Sequence, residues 1–121
     1  MRRKILKLNE IRDLVKSQNV CWWTDLKTGE PLNRNKGELL ALIHSEVSEC
    51  LEGVRKGLMD DHLPHRTMEE VELADVIIRV LDYCGGFGLD IEGAVFEKIR
   101  YNQQRADHKR ENRLADEGKK F

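Results

Sequence analysis

Long hydrophobic runs are missing from this 121-residue chain: its apolar stretches last only a few residues. A membrane span needs roughly 20, so none is expected. Basic residues near the N-terminus are followed by no apolar stretch of secretory length, so no export signal is read there. Cysteine is scarce: Cys21, Cys50 and Cys84 are odd in number and share no C-x-x-C spacing. That pattern indicates neither a disulfide framework nor a thiolate zinc site, and the expected setting is a reducing cytoplasm. Excess charge of one sign is absent too, with 21 Lys plus Arg against 22 Asp plus Glu. The balance argues against a general nucleic-acid binder. Only two prolines interrupt a chain that is 36% charged, which leaves helices as its natural elements.

The charge that is present is unevenly placed. From Glu38 to Asp75 ten acids face three bases, whereas from Lys98 onward eight bases face four acids. Apolar residues recur at helical spacing in four stretches. The first predicts a helix from Ile5 to Gln18. A loop follows from Thr24 to Lys36, then a second helix from Gly37 to Lys56 that stops at Gly57. Thr67 with Glu70 three positions on forms a capping-box signature for a third helix, which ends at Gly85-Gly86. Asp90 caps a fourth helix reaching about Arg105. The expectation is an all-α, four-helix, bundle-like domain over residues 1–108, with a polar extension over 109–121 that is solvated or frayed.

Within this frame two pairs of carboxylates stand out: Glu46 with Glu49, and Glu72 with Asp75. Residues three apart on a helix converge on one face. Two such pairs on facing helices crowd four carboxylates together, and their repulsion is relieved by a hard divalent cation such as Mg²⁺. Taken alone, an E-x-x-E is more often a solvated acidic edge. Glu52, Glu69 and Asp82 extend the same rows, so spacing leaves the register open. No glutamate has a histidine three residues later, which argues against the di-iron bundle proteins. No adjacent His-Asp pair occurs, which argues against an HD-type phosphohydrolase. An all-carboxylate set on helices suits a magnesium-bound polyphosphate instead.

The ordered set, E-x-x-E at Glu46/Glu49 followed by E-x-x-D at Glu72/Asp75, resembles the signature of the MazG-like all-α nucleoside triphosphate pyrophosphohydrolases. Leu39 to Gly57 is similar to that family's second helix and Glu72 to Tyr83 to its third. Glu97 to Arg105 resembles its closing K-x-x-x-N-x-x-R pattern, and the likeness spans about Trp22 to His108. The resemblance implies hydrolysis between the α- and β-phosphates, yielding a nucleoside monophosphate and pyrophosphate. It implies that Glu46, Glu49, Glu72 and Asp75 hold Mg²⁺, with Mn²⁺ able to substitute, and that Glu46 or Glu49 helps activate the water. Lys98, Asn102 and Arg105 would then meet phosphate or sugar. It also implies a homodimer or homotetramer, in the host cytoplasm if the protein is phage-encoded. The stretch from Val54 to Arg66 is close to the phage-type members, which favours a guanine nucleotide, dGTP or GTP.

Other residues keep two readings. Trp22 and Trp23 serve as core packing or as a platform for a nucleotide base. Arg79, one turn beyond Asp75, either neutralises carboxylates or contacts a phosphate. His44 is expected to be buried beside the apolar stripe, and Cys50 and Cys84 in the core. Asp60-Asp61-His62 reads as a solvated turn or as a source of an extra ligand. The alternative to the enzyme is a non-catalytic helical interaction or regulatory module whose carboxylates serve solubility alone.

Overall fold

A computed structural model describes residues 5–105 and 109–121; the end of the family likeness at Ala106 to His108 lies outside them. The described residues form an all-α protein. The helices are α1 (Leu8–Gln18), α2 (Lys36–Lys56), α3 (Met68–Gly86), α4 (Ile91–Gln104) and α5 (Arg110–Leu114), with one 3-10 turn at Val20–Trp22. Among the described residues no helix is long and apolar enough to cross a membrane. The chain divides into two compact units, Met1–Leu89 and Asp90–Phe121.

In the first unit α3 is the hub, packed against both α1 and α2. Its start follows the sequence expectation: the Thr67 hydroxyl accepts from the Glu70 amide at 3.1 Å, and the Glu70 carboxylate accepts from the Thr67 amide at 3.2 Å. This reciprocal cap satisfies two otherwise orphaned donors. α2 is capped by the Asn35 side chain and stops at Gly57, whose φ of 60° is the left-handed conformation that favours glycine. α1 begins at Leu8 instead of Ile5, because the Glu10 carboxylate reaches back to the Lys7 amide at 3.1 Å and fixes the entry there.

Close approach sets how these helices lie. A Cβ on Gly53 of α2 would sit 2.8 Å from Met68 Cγ, and the Cys50 thiol faces the Glu69 carbonyl at 3.7 Å. The end of α2 therefore lies against the start of α3, and the two helices run antiparallel. At the other end of α3, a Cβ on Gly85 would lie 3.2 Å from the Arg12 carbonyl oxygen of α1. One on Gly86 would penetrate the Trp23 ring, at 2.1 Å from its nearest atom. Trp23 is buried, stands edge-on to Phe87 at 5.4 Å and donates its indole N–H to Asp82 at 3.0 Å. Val15, Cys50, Leu81 and Cys84 complete this small core.

The segment between Trp23 and Asn35 is a loop, but an ordered one. The Asp25 carboxylate accepts from the Lys27 and Thr28 amides at 2.8 and 2.9 Å, and Leu32 donates to the Trp23 carbonyl at 2.8 Å. The Asp60 carboxylate likewise closes its own turn by accepting from the His62 and Leu63 amides. His44 corrects its expectation: it is exposed. It sits about 200° around α2 from Glu46, away from the face that meets α3.

In the second unit α4 starts as expected, with the Asp90 carboxylate accepting from the Gly93 amide at 2.9 Å. The extension holds a short helix, α5, that patterning did not indicate; Arg113 turns the chain back on it by donating to the Lys119 carbonyl at 3.1 Å.

Gly86 gives the fold its clearest test. Gly86→Ala forces a rigid indole to move, and overpacking of this kind costs about 1–3 kcal/mol. The urea midpoint followed by tryptophan fluorescence should fall accordingly. An unchanged midpoint would mean that Trp23 does not pack there.

Candidate metal centre

Glu46 lies in the middle of α2, while Glu72 and Asp75 share one face of α3. The antiparallel contact carries one oxygen from each of the three to within 4.8 Å of the others. Glu46 and Glu72 are only 8% and 9% exposed, and Asp75 is half-buried. Two nearly buried carboxylates in contact are costly unless something offsets their charge.

Arg79 supplies part of the offset. Its Nε donates to Glu46 Oε1 at 2.7 Å, from one turn beyond Asp75 on α3. Burial pushes the Glu46 carboxyl up, but Arg79 and a hydrogen bond with Glu72 outweigh it and hold Glu46 below its usual range. Glu72 goes the other way. Burial first, then the hydrogen bond to Glu46 and the charge of Glu49, push it up to about 7. Asp75 is raised by burial and by Glu46, against the lowering effect of Arg79. The division follows from geometry: Arg79 neighbours Glu46, so Glu46 keeps the charge and the proton rests on Glu72.

One atom remains unsatisfied. Glu72 Oε2 is buried and has no hydrogen-bond partner. An orphaned acceptor of this kind demands an explanation, and a cation is the natural partner for an oxygen that faces further carboxylates. The donor set is entirely oxygen, which suits a hard divalent ion such as Mg²⁺ or Mn²⁺. The residues present therefore fit the metal that the sequence pattern implies.

Glu49 stands beside this trio without joining it. It is exposed, one turn along α2 from Glu46, yet near enough to raise Glu72. Glu52 turns outward into an exposed pair with Lys56 at 2.7 Å. Asp60 contributes charge toward Asp75 but spends its carboxylate on its own turn.

A cleft of about 560 Å³ opens beside the carboxylates. Glu46, Asp75 and Arg79 line it together with Trp22, Arg34 and Asn19. The paired tryptophans thus separate: Trp23 goes to the core, while Trp22 is 65% exposed at the cleft. Arg34 braces that arrangement by donating to the Trp22 carbonyl at 2.7 Å, and its guanidinium lies 5.7 Å from the Trp23 ring centroid. Sequence reading missed Arg34 and Asn19, since each lies in or beside a loop with no spacing pattern to mark it. Lys98 and Asn102 sit on α4 and Arg105 caps its end, all within the second unit. There the Arg105 guanidinium donates to the Asn102 side-chain oxygen at 3.4 Å, and the Lys98 ammonium lies over the Tyr101 ring at 4.7 Å.

Compared with protein-family models, curated proteins and solved structures, the chain matches none.

The raised Glu72 carboxyl gives a pH signature. Its folded-state value of about 7 exceeds the ordinary 4.5, so between those values the folded protein holds a proton that the unfolded chain has lost. Stability from this group therefore falls as pH rises through that window. In EDTA the melting temperature should be lower at pH 8 than at pH 5, and Glu72→Gln should flatten the difference. Adding Mg²⁺ should raise the wild-type melting temperature more at pH 8 than at pH 5, since ion and proton compete. Identical pH profiles for wild type and Glu72→Gln would contradict this assignment.

Proposed function

We propose that this chain is a MazG-like, magnesium-dependent nucleoside triphosphate pyrophosphohydrolase. The observation that carries the reading is the orphaned Glu72 oxygen inside the Glu46/Glu72/Asp75 trio. The ordered E-x-x-E and E-x-x-D pattern on two antiparallel helices supports it. A cleft that combines carboxylates, two guanidinium groups and an exposed indole supports it as well. These are the chemistries that a metal-bound polyphosphate with an aromatic base calls for.

Each residue then has a task. Glu46, Glu72 and Asp75 hold the ion, and Glu49 lies close enough to add a fourth carboxylate. When bound, Mg²⁺ polarises phosphoryl oxygens and lowers the pKa of a water. Glu49, exposed at the cluster's edge, accepts the proton as the water oxygen bonds to the α-phosphorus; Glu46 is the other candidate for that role. The bond from the α-phosphorus to the bridging oxygen breaks, and pyrophosphate leaves with the electron pair. Arg79 and Arg34 face the phosphate charge, and Trp22 offers its ring to the base. Lys98, Asn102 and Arg105 are assigned to phosphate or sugar by the family likeness, which also favours a guanine nucleotide.

A homodimer or homotetramer belongs to the same proposal. Val47, Leu51 and Val54 follow one another at helical spacing along α2 and are each about half exposed, as are Leu73 and Ile77 on α3. Apolar rows of this kind suit burial against another copy. The cytoplasm, where Mg²⁺ and nucleotides are plentiful, is the proposed location.

The test is pyrophosphate release from each of the eight common ribo- and deoxyribonucleoside triphosphates with Mg²⁺ or Mn²⁺. Activity should be metal-dependent and highest on a guanine nucleotide. Glu46→Gln, Glu72→Gln and Asp75→Asn should each lose about 100-fold or more, because the metal supplies several kcal/mol of transition-state stabilisation. Glu52→Gln and Glu69→Gln should stay near wild type. Inactivity on all eight nucleotides would favour the non-catalytic interaction module, and full activity in the three cluster variants would remove the metal site.

A further inference from the structure

Arg79 occupies an unusual position for a residue proposed to meet a phosphate. Its Nε is committed to Glu46 Oε1 at 2.7 Å, on a carboxylate whose side chain is 11% exposed, while its own side chain is 41% exposed. One end of the guanidinium is therefore buried on the acidic trio and the other opens to the cleft that Trp22 and Arg34 line. Glu46 is also one of the three carboxylates whose oxygens converge. An ion that takes up Glu46, at either oxygen, sets a second cation on the carboxylate whose Oε1 Arg79 already holds. Two cations pressed onto one carboxylate repel each other, and Arg79, on a long flexible stem, is the one able to move.

We propose that Arg79 is a tethered stand-in for the divalent ion: it holds Glu46 while the site is metal-free, and metal entry releases its guanidinium into the cleft to meet a phosphate group. The inference rests on the reading of the trio as a divalent-cation site for phosphate chemistry. It makes Arg79 a positioning residue with two effects of opposite sign, since the side chain opposes the ion and favours the anion. Coupling of two ligands through one residue is reciprocal: metal loading strengthens anion binding by freeing the same group that metal had to displace.

Mn²⁺ binding to the full chain at pH 8, read from loss of the free-ion paramagnetic resonance signal, tests the first effect without any turnover. Arg79→Gln should bind Mn²⁺ about fivefold or more tighter than wild type, and Arg79→Lys, which keeps the charge, should stay close to wild type. Calorimetric titration of manganese pyrophosphate into the Mn²⁺-saturated protein tests the second. There Arg79→Gln should bind about fivefold or more weaker. If wild type binds no more Mn²⁺ than Glu72→Gln does, the metal reading falls and this inference with it. If wild type binds Mn²⁺ but Arg79→Gln binds it no tighter, the stand-in role alone is overturned. Tighter Mn²⁺ binding with unchanged pyrophosphate affinity would overturn the release into the cleft.

Discussion

Burying Glu46 against Glu72 is the unfavourable contact around which the first unit is arranged. Two carboxylates with less than a tenth of their surface exposed would not lie together in a helical protein for packing reasons alone. The structure eases the repulsion in two ways, by setting Arg79 on Glu46 and by raising Glu72 until it carries a proton near neutral pH. Neither device satisfies Glu72 Oε2. What remains is a buried acceptor without a partner, between helices that are otherwise well capped.

The surrounding packing serves to keep that contact in place. Gly53 lets Met68 come close, so α2 and α3 meet at a fixed rotation and Glu46 faces Glu72 and Asp75. Gly85 and Gly86 allow α1 and Trp23 to close on the far end of α3. Trp23, anchored to Asp82, then fixes its neighbour Trp22 at the cleft mouth. The same helices leave apolar rows on α2 and α3 exposed, so the carboxylate trio and these rows belong to the same two elements.

Much of this was legible in the sequence, and the reason is local. Caps at Thr67 and Asp90, the stop at Gly57 and the helical spacing of apolar residues depend on neighbours within a turn, so the helices fall close to where patterning puts them. The carboxylate rows were legible for the same reason, but not which members converge. Choosing Glu46, Glu72 and Asp75, and leaving Glu49 at the edge, depends on the rotation set by Gly53 and Met68. Trp22 and Trp23 are adjacent and chemically alike; what separates them is the bare backbone at Gly86, distant in sequence. His44 was misjudged because an apolar neighbourhood along the chain says little about the opposite side of a helix. Arg34 and Asn19 reach the cleft from a loop and a helix end, and no periodicity marks such positions.

The central claim is that the trio is a divalent-cation site, and the most direct measurement is crystallographic. Crystals grown or soaked with Mn²⁺ and measured at the manganese absorption edge should give an anomalous peak between α2 and α3. That peak should lie about 2.0–2.3 Å from at least one oxygen each of Glu46, Glu72 and Asp75, and Glu72 Oε2 should no longer lack a partner. A map with no peak there at saturating Mn²⁺, or with the ion bound elsewhere and Arg79 still paired to Glu46, would contradict the account.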